Sequence, residues 1–138
     1  MSDSVAEELK LSNMMLKHVT LNMFSVGLKT IELSHNKLVT IPSGIMQCGQ
    51  LTVLKLSHNF LTALPVGIWR LSKLQSLIAN NNKLRSIPEG IDKIETLEHL
   101  LLNDNKLESL SPSIGKCSNL KRLYLHENLL SELPRSIS

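Results

Sequence analysis

Leu28-Lys-Thr-Ile31-Glu-Leu33-Ser-His-Asn36-Lys-Leu38-Val-Thr-Ile41-Pro42-Ser-Gly-Ile45 decides the fold, because the same pattern returns every 23 residues. Asn36 recurs as Asn59, Asn82, Asn105 and Asn128. Leu28 becomes Leu51, Leu74, Leu97 and Leu120; Ile31 becomes Leu54, Leu77, Leu100 and Leu123; Leu33 becomes Leu56, Ala79, Leu102 and Leu125. Further along, Leu38 recurs as Leu61, Leu84, Leu107 and Leu130, and Ile45 as Ile68, Ile91, Ile114 and Ile137. Five copies without insertion or deletion run through 28–50, 51–73, 74–96, 97–119 and an incomplete 120–138. Exact periodicity of this kind marks a stacked-repeat architecture, in which one unit cannot bury its apolar side without a neighbour.

The chemistry of each position follows from the stacking. The leucine alternation has period two, so those residues point inward from a short strand and the intervening ones point outward. Stacked units set these strands parallel, about 4.8 Å apart. Pro42, Pro65, Pro88 and Pro134 open the return segment, where a fixed φ and a missing donor are tolerated. In the fourth copy Ser111 takes the proline position and Pro112 follows, which predicts a local change confined to that return segment. Gly44, Gly67 and Gly90 recur with the repeat and read as backbone glycines; Gly115 is displaced by one place.

This pattern, L-x-x-L-x-L-x-x-N-x-L-x-x-L-P-x-x-I, resembles the leucine-rich repeat family, and the 23-residue unit resembles its intracellular Ras-suppressor type. The resemblance implies an α/β solenoid: a right-handed superhelix with short parallel strands on the concave face and 3₁₀ or irregular segments on the convex one. It implies that the ladder of Asn36, Asn59, Asn82, Asn105 and Asn128 satisfies backbone groups at the turn after each strand. Extracellular members usually carry cysteine-rich caps, and this sequence shows none.

The two ends depart from the repeat. Residues 1–27 hold a degenerate capping repeat in which Leu9-Lys-Leu11 stands for Ile31-Glu-Leu33, at a spacing of 22, with Met14 in the asparagine column. At the other end no cap follows the last copy, so the outer side of Leu120, Leu123 and Leu125 is expected to lie open. Three readings stay open for that edge: a natural short product, a fragment of a longer chain, or self-association through the uncapped repeat.

Charge and composition narrow the function. The net charge is +3, with no acid from Leu33 to Pro88 and eight acids from Glu89 to Ser138. Nucleic-acid binding calls for clustered cations among stacking aromatics, whereas aromatics here are 3% of the chain, so nucleic acid is not expected. The longest stretch free of formal charge, Leu38 to Leu54, contains Pro42, Gly44 and Gly49 and does not read as a membrane span. The start, through Lys10, is polar and has no apolar leader segment, which points to a cytoplasmic protein. Cys48 and Cys117 fall in the column of Leu71 and Ile94 and read as reduced core residues, three repeats apart and too distant for a disulfide.

The sequence carries no nucleophile elbow, zinc-protease motif or phosphate loop, so no enzyme, cofactor or metal site is expected. His35 and His58 are neighbours in one outward column, but two imidazoles fall short of the three or four ligands zinc requires. The outward positions are the candidate site. Ile78, Leu101 and Tyr124 adjoin one another by register, with Lys55 beside them and His99, Asn103, Arg122 and His126 around them. An apolar centre, an aromatic anchor and a polar rim are the make-up of a protein-binding surface. The reading is a non-catalytic protein-binding module, an intracellular signalling scaffold or adaptor. The alternatives are a regulatory subunit of an enzyme such as protein phosphatase one, or the repeat part of a larger kinase, GTPase or ubiquitin ligase.

Overall fold

The computed structural model describes residues 6–137; residues 1–5 of the polar start and the final Ser138 lie outside it. Six three-residue strands form one sheet, all parallel and in sequence order: β1 (Glu8–Lys10), β2 (Thr30–Glu32), β3 (Val53–Lys55), β4 (Ser76–Ile78), β5 (His99–Leu101) and β6 (Arg122–Tyr124). Between them the chain returns through short 3₁₀ helices such as Ser43–Gln47, Ile68–Arg70, Ile91–Lys93 and Pro112–Lys116. Among the described residues every helical segment is 3₁₀, and no helix is long and apolar enough to cross a membrane. This is the leucine-rich repeat solenoid, an α/β fold whose strand face is concave and whose return segments are convex.

Register makes each apolar column continuous. Ile31, Leu54, Leu77 and Leu100 pair in turn across β2 to β5 and are shut off from solvent. Ile45, Ile68 and Ile91 close the core from the return side. Every such side chain contributes about 1.5–3 kcal/mol of burial, but only once both neighbouring units are in place. The degenerate first unit provides a strand: β1 pairs with β2 at the shifted spacing, Leu9 opposite Ile31.

After each of β2 to β6 the chain turns through one residue in the left-handed region, His35, His58, Asn81, Asp104 and Glu127, with φ of 56–57°; after β1 two residues, Asn13 and Met15, take it. Asparagine, aspartate and histidine are the side chains most often found in that conformation; glutamate is held in it at some cost. The hydrogen bonds that hold it come from the asparagine ladder. Asn59 Nδ2 donates to the Leu33 and Leu56 carbonyls at 2.9 and 3.1 Å, while its Oδ1 accepts from the Leu38 amide at 3.0 Å. Asn82, Asn105 and Asn128 repeat this arrangement one, two and three units further on. One side chain thus ties the turn of its own repeat to that of the preceding one. Asn36 does the same for the leading unit, accepting from both the Met14 and Leu16 amides.

The fourth return segment changes only locally, as expected. Ser111 caps it by accepting from the Ser113 amide, and Pro112 occupies its first turn. The recurring glycines are a correction to the sequence reading, because their reasons differ. Gly90 alone has positive φ, 99°, whereas Gly67 has an ordinary φ of −90°. At Gly44 a Cβ would meet only the tip of the exposed Leu21 side chain, which can swing aside.

Candidate functional site

The second outward column of the strands runs Glu32, Lys55, Ile78, Leu101, Tyr124 in direct register across β2 to β6. Ile78 and Leu101 are half-buried and Tyr124 is exposed. Their alternation with the core leucines turns them out of the sheet, so the three form a contiguous apolar strip. Lys55 adjoins Ile78, and its ammonium sits 3.5 Å from the Glu32 carboxylate, so this end of the strip is a neutral pair. At the other end Arg122 is exposed, and among the described residues it has no ion pair.

The first outward column, Thr30, Val53, Ser76, His99, Arg122, flanks the strip. By register His99 lies in the outward column; it is half-buried, and its Nδ1 is closed off from solvent with no hydrogen-bond partner among the described residues. Asn103 and His126 lie beyond the ends of β5 and β6 rather than on the strands. They remain beside the strip because the hydrogen-bond ladder continues past the strands: Asn81 and Asp104 amides donate to the Asn103 and His126 carbonyls at 3.0 Å. The His126 ring is 6.0 Å from that of Tyr124, tilted by 49°. Asn103 Nδ2 donates to the Asp104 carboxylate at 2.8 Å.

The remaining polar column belongs to the turn rather than to the strand surface, since its residues are the left-handed ones. His35 and His58 stack there with ring centres 4.3 Å apart and planes inclined by 10°. Among the described residues no group of three or more His, Cys, Asp or Glu is placed to hold a metal ion. Cys48 is buried and Cys117 half-buried; both are free thiols. Burial pushes both thiols above their ordinary pKa, and at Cys117 the Asp92 carboxylate adds to the effect. Neither environment activates a nucleophile.

Comparison with known proteins agrees with this architecture. A family model described as Leucine rich repeat matches residues 26–84, and one described as Leucine Rich repeats (2 copies) matches residues 95–136. The chain belongs to the leucine-rich repeat family. No curated protein matches it. Among solved structures, a leucine-rich repeat protein of Leptospira interrogans is 34% identical with a TM-score of 0.86, over 95% of this chain and 34% of that one. An internalin of Listeria monocytogenes is 26% identical with a TM-score of 0.78, over 90% of this chain and 36% of that one. The plant peptide hormone receptor RGFR1, solved in complex with RGF2, is 33% identical with a TM-score of 0.73, over 81% and 19%. The chain therefore spans about a third or less of the length of these solved relatives. Domains of this family generally mediate protein–protein interaction, and nothing in the arrangement above assembles a catalytic group.

Proposed function

We propose that this chain is a non-catalytic protein-interaction module that binds a protein partner on its concave strand face, as an intracellular, cytoplasmic scaffold or adaptor of the 23-residue Ras-suppressor-like type. The carrying observation is the register of Ile78, Leu101 and Tyr124: three outward apolar residues on adjacent strands beside Arg122, which has no ion pair among the described residues. Tyr124 is the anchor, since an aromatic with a polar tip contributes large contact area at low entropic cost. The plant receptor solved with its peptide hormone supports recognition of a polypeptide by this class of repeat. Partner capture followed by mass spectrometry, with wild type beside Tyr124→Ala and Leu101→Ser, tests the face. Recovery should fall at least tenfold in each variant; unchanged recovery removes the face from consideration.

A second reading makes these repeats the binding part of a longer polypeptide, or pairs the last repeat with a second copy. The half-exposed Leu120, Leu123 and Leu125 of the last repeat and the greater length of the solved relatives support it. Intact mass of the native protein and light scattering of the purified chain separate these two cases.

A further inference from the structure

The face opposite the strip carries a cavity of about 570 Å³, bordered by Met46, Val66, Trp69, Arg70, Glu89 and Lys93. Its origin lies in the local sequence. The second and third repeats form 3₁₀ helices of only three residues, Ile68–Arg70 and Ile91–Lys93, whereas Ser43–Gln47 and Pro112–Lys116 have five. The two residues lost from each shortened helix, Val66-Gly67 and Glu89-Gly90, become the cavity wall. Trp69 supplies an apolar side: the ring is buried, and its Nε1–H reaches into the next repeat to donate to the Pro88 carbonyl at 2.6 Å. That bond leaves the indole no free donor and fixes the ring in place. Val66 stands at the rim with 89% of its surface exposed.

The cavity is electrically lopsided. Arg70 and Lys93 occupy the same column, 23 residues apart, each at the end of its 3₁₀ helix. Among the described residues neither side chain has a hydrogen bond or an ion pair. Their stems lean inward over the glycines: Arg70 Cδ lies 3.5 Å from where a Gly67 Cβ would stand, and Lys93 Cδ 3.8 Å from that of Gly90. Trp69 Cδ1 lies 3.8 Å from the same Gly90 point, so the cation and the indole share one wall. The acid of the lining, Glu89, is engaged elsewhere, accepting from the Ser111 hydroxyl at 2.9 Å. Two cations without an ion pair among the described residues, set against the single carboxylate of Glu89 and beside a fixed aromatic and an exposed valine, form an amphipathic socket of net positive charge. Its volume is within the ~300–1,000 Å³ usual for ligand sites.

We propose that this convex socket binds a short acidic peptide segment bearing an apolar side chain next to an Asp or Glu. The apolar side chain packs on Trp69, Met46 and Val66, and the carboxylate is held between Arg70 and Lys93. A peptide fits better than a nucleic acid, since two cations and one aromatic give no extended backbone track. The socket is independent of the concave face, so one can fail while the other stands.

Trp69 is the sole tryptophan, which makes its emission a direct readout. The intact chain is titrated with acetylated, amidated tetrapeptides that alternate Leu or Phe with Asp or Glu. Controls are the Asn/Gln counterparts, the same acidic peptides with glycine in place of the apolar residue, and inorganic phosphate. The acidic apolar peptides should change Trp69 emission saturably and bind at least tenfold tighter than every control. The combined Arg70→Glu and Lys93→Glu variant should abolish the response, and Tyr124→Ala should leave it intact. Circular dichroism checks that the charge reversal, made at two exposed positions, leaves the fold unchanged. Equal binding of the neutral peptides reduces the socket to an apolar patch. Equal binding of the glycine peptides or phosphate reduces it to a plain anion site. Either result, binding that survives charge reversal, or no saturable response to the acidic apolar peptides overturns the proposal.

Discussion

Leu54 and Leu123 occupy the same place in the repeat, and so do Leu56 and Leu125, yet the first of each pair has no exposed surface while the second is only half-buried. Asn59 and Asn128 make the same set of hydrogen bonds, but Asn59 is buried and the Asn128 bond to the His126 carbonyl is exposed. The inner repeats differ from the last one in having a neighbour on the far side. Burial in a solenoid belongs to the interface between units, so identical residues have unequal energetic weight according to what stacks on them.

The comparison breaks most sharply at the asparagines. Asn59→Ala leaves the buried Leu38 amide without its partner and takes one of two donors from each of the Leu33 and Leu56 carbonyls, which keep Asn36 and Asn82. At ~1–3 kcal/mol for the unpaired amide and ~0.5–1.5 kcal/mol for each bond lost at a carbonyl, a loss of about 3 kcal/mol is expected in urea unfolding. Asn128→Ala should lose under about half of that, because water reaches the groups it leaves behind. Equal losses would mean that exposure at the last repeat has no energetic consequence. The leucines come next. Leu54→Ala should destabilise by about 2–5 kcal/mol, and Leu123→Ala by about half as much, because less area is withdrawn from water and less cavity is left.

Smaller still is the contrast among the glycines. Gly90→Ala forces a side chain into positive φ and should destabilise by about 1 kcal/mol. Gly67→Ala, at an ordinary φ with 3.5 Å to Arg70, should be neutral or stabilising by up to about 1 kcal/mol. Thermal unfolding of the two variants side by side checks the sign. Last, alkylation of the native chain at pH 8 should label Cys117 before Cys48, since both thiols donate to a backbone carbonyl, of Ile91 and Ser25, but Cys48 is buried and Cys117 only half-buried. Burial raises both thiols, so labelling should accelerate as pH climbs past the usual thiol range.

The amino-acid sequence by itself determined the repeat, its length, the inward leucine columns, the asparagine file and the adjacency of Ile78, Leu101 and Tyr124. A strict period transmits register directly: residues 23 apart must become neighbours once units stack. Tertiary structure alone decided the rest. Strands are three residues long because the chain enters the left-handed turn soon after them, which removes Asn103 and His126 from the strand surface. His99 lost a free ring nitrogen to packing. The convex socket was half legible, since the spacing already aligned Arg70 with Lys93. Its depth was not, because it depends on the tryptophan reaching across to the Pro88 carbonyl and on two shortened helices. Periodicity fixes which residues meet along the stack; the orientation of an irregular return segment is set by side-chain volume and by hydrogen bonds between units, and no repeat pattern encodes those.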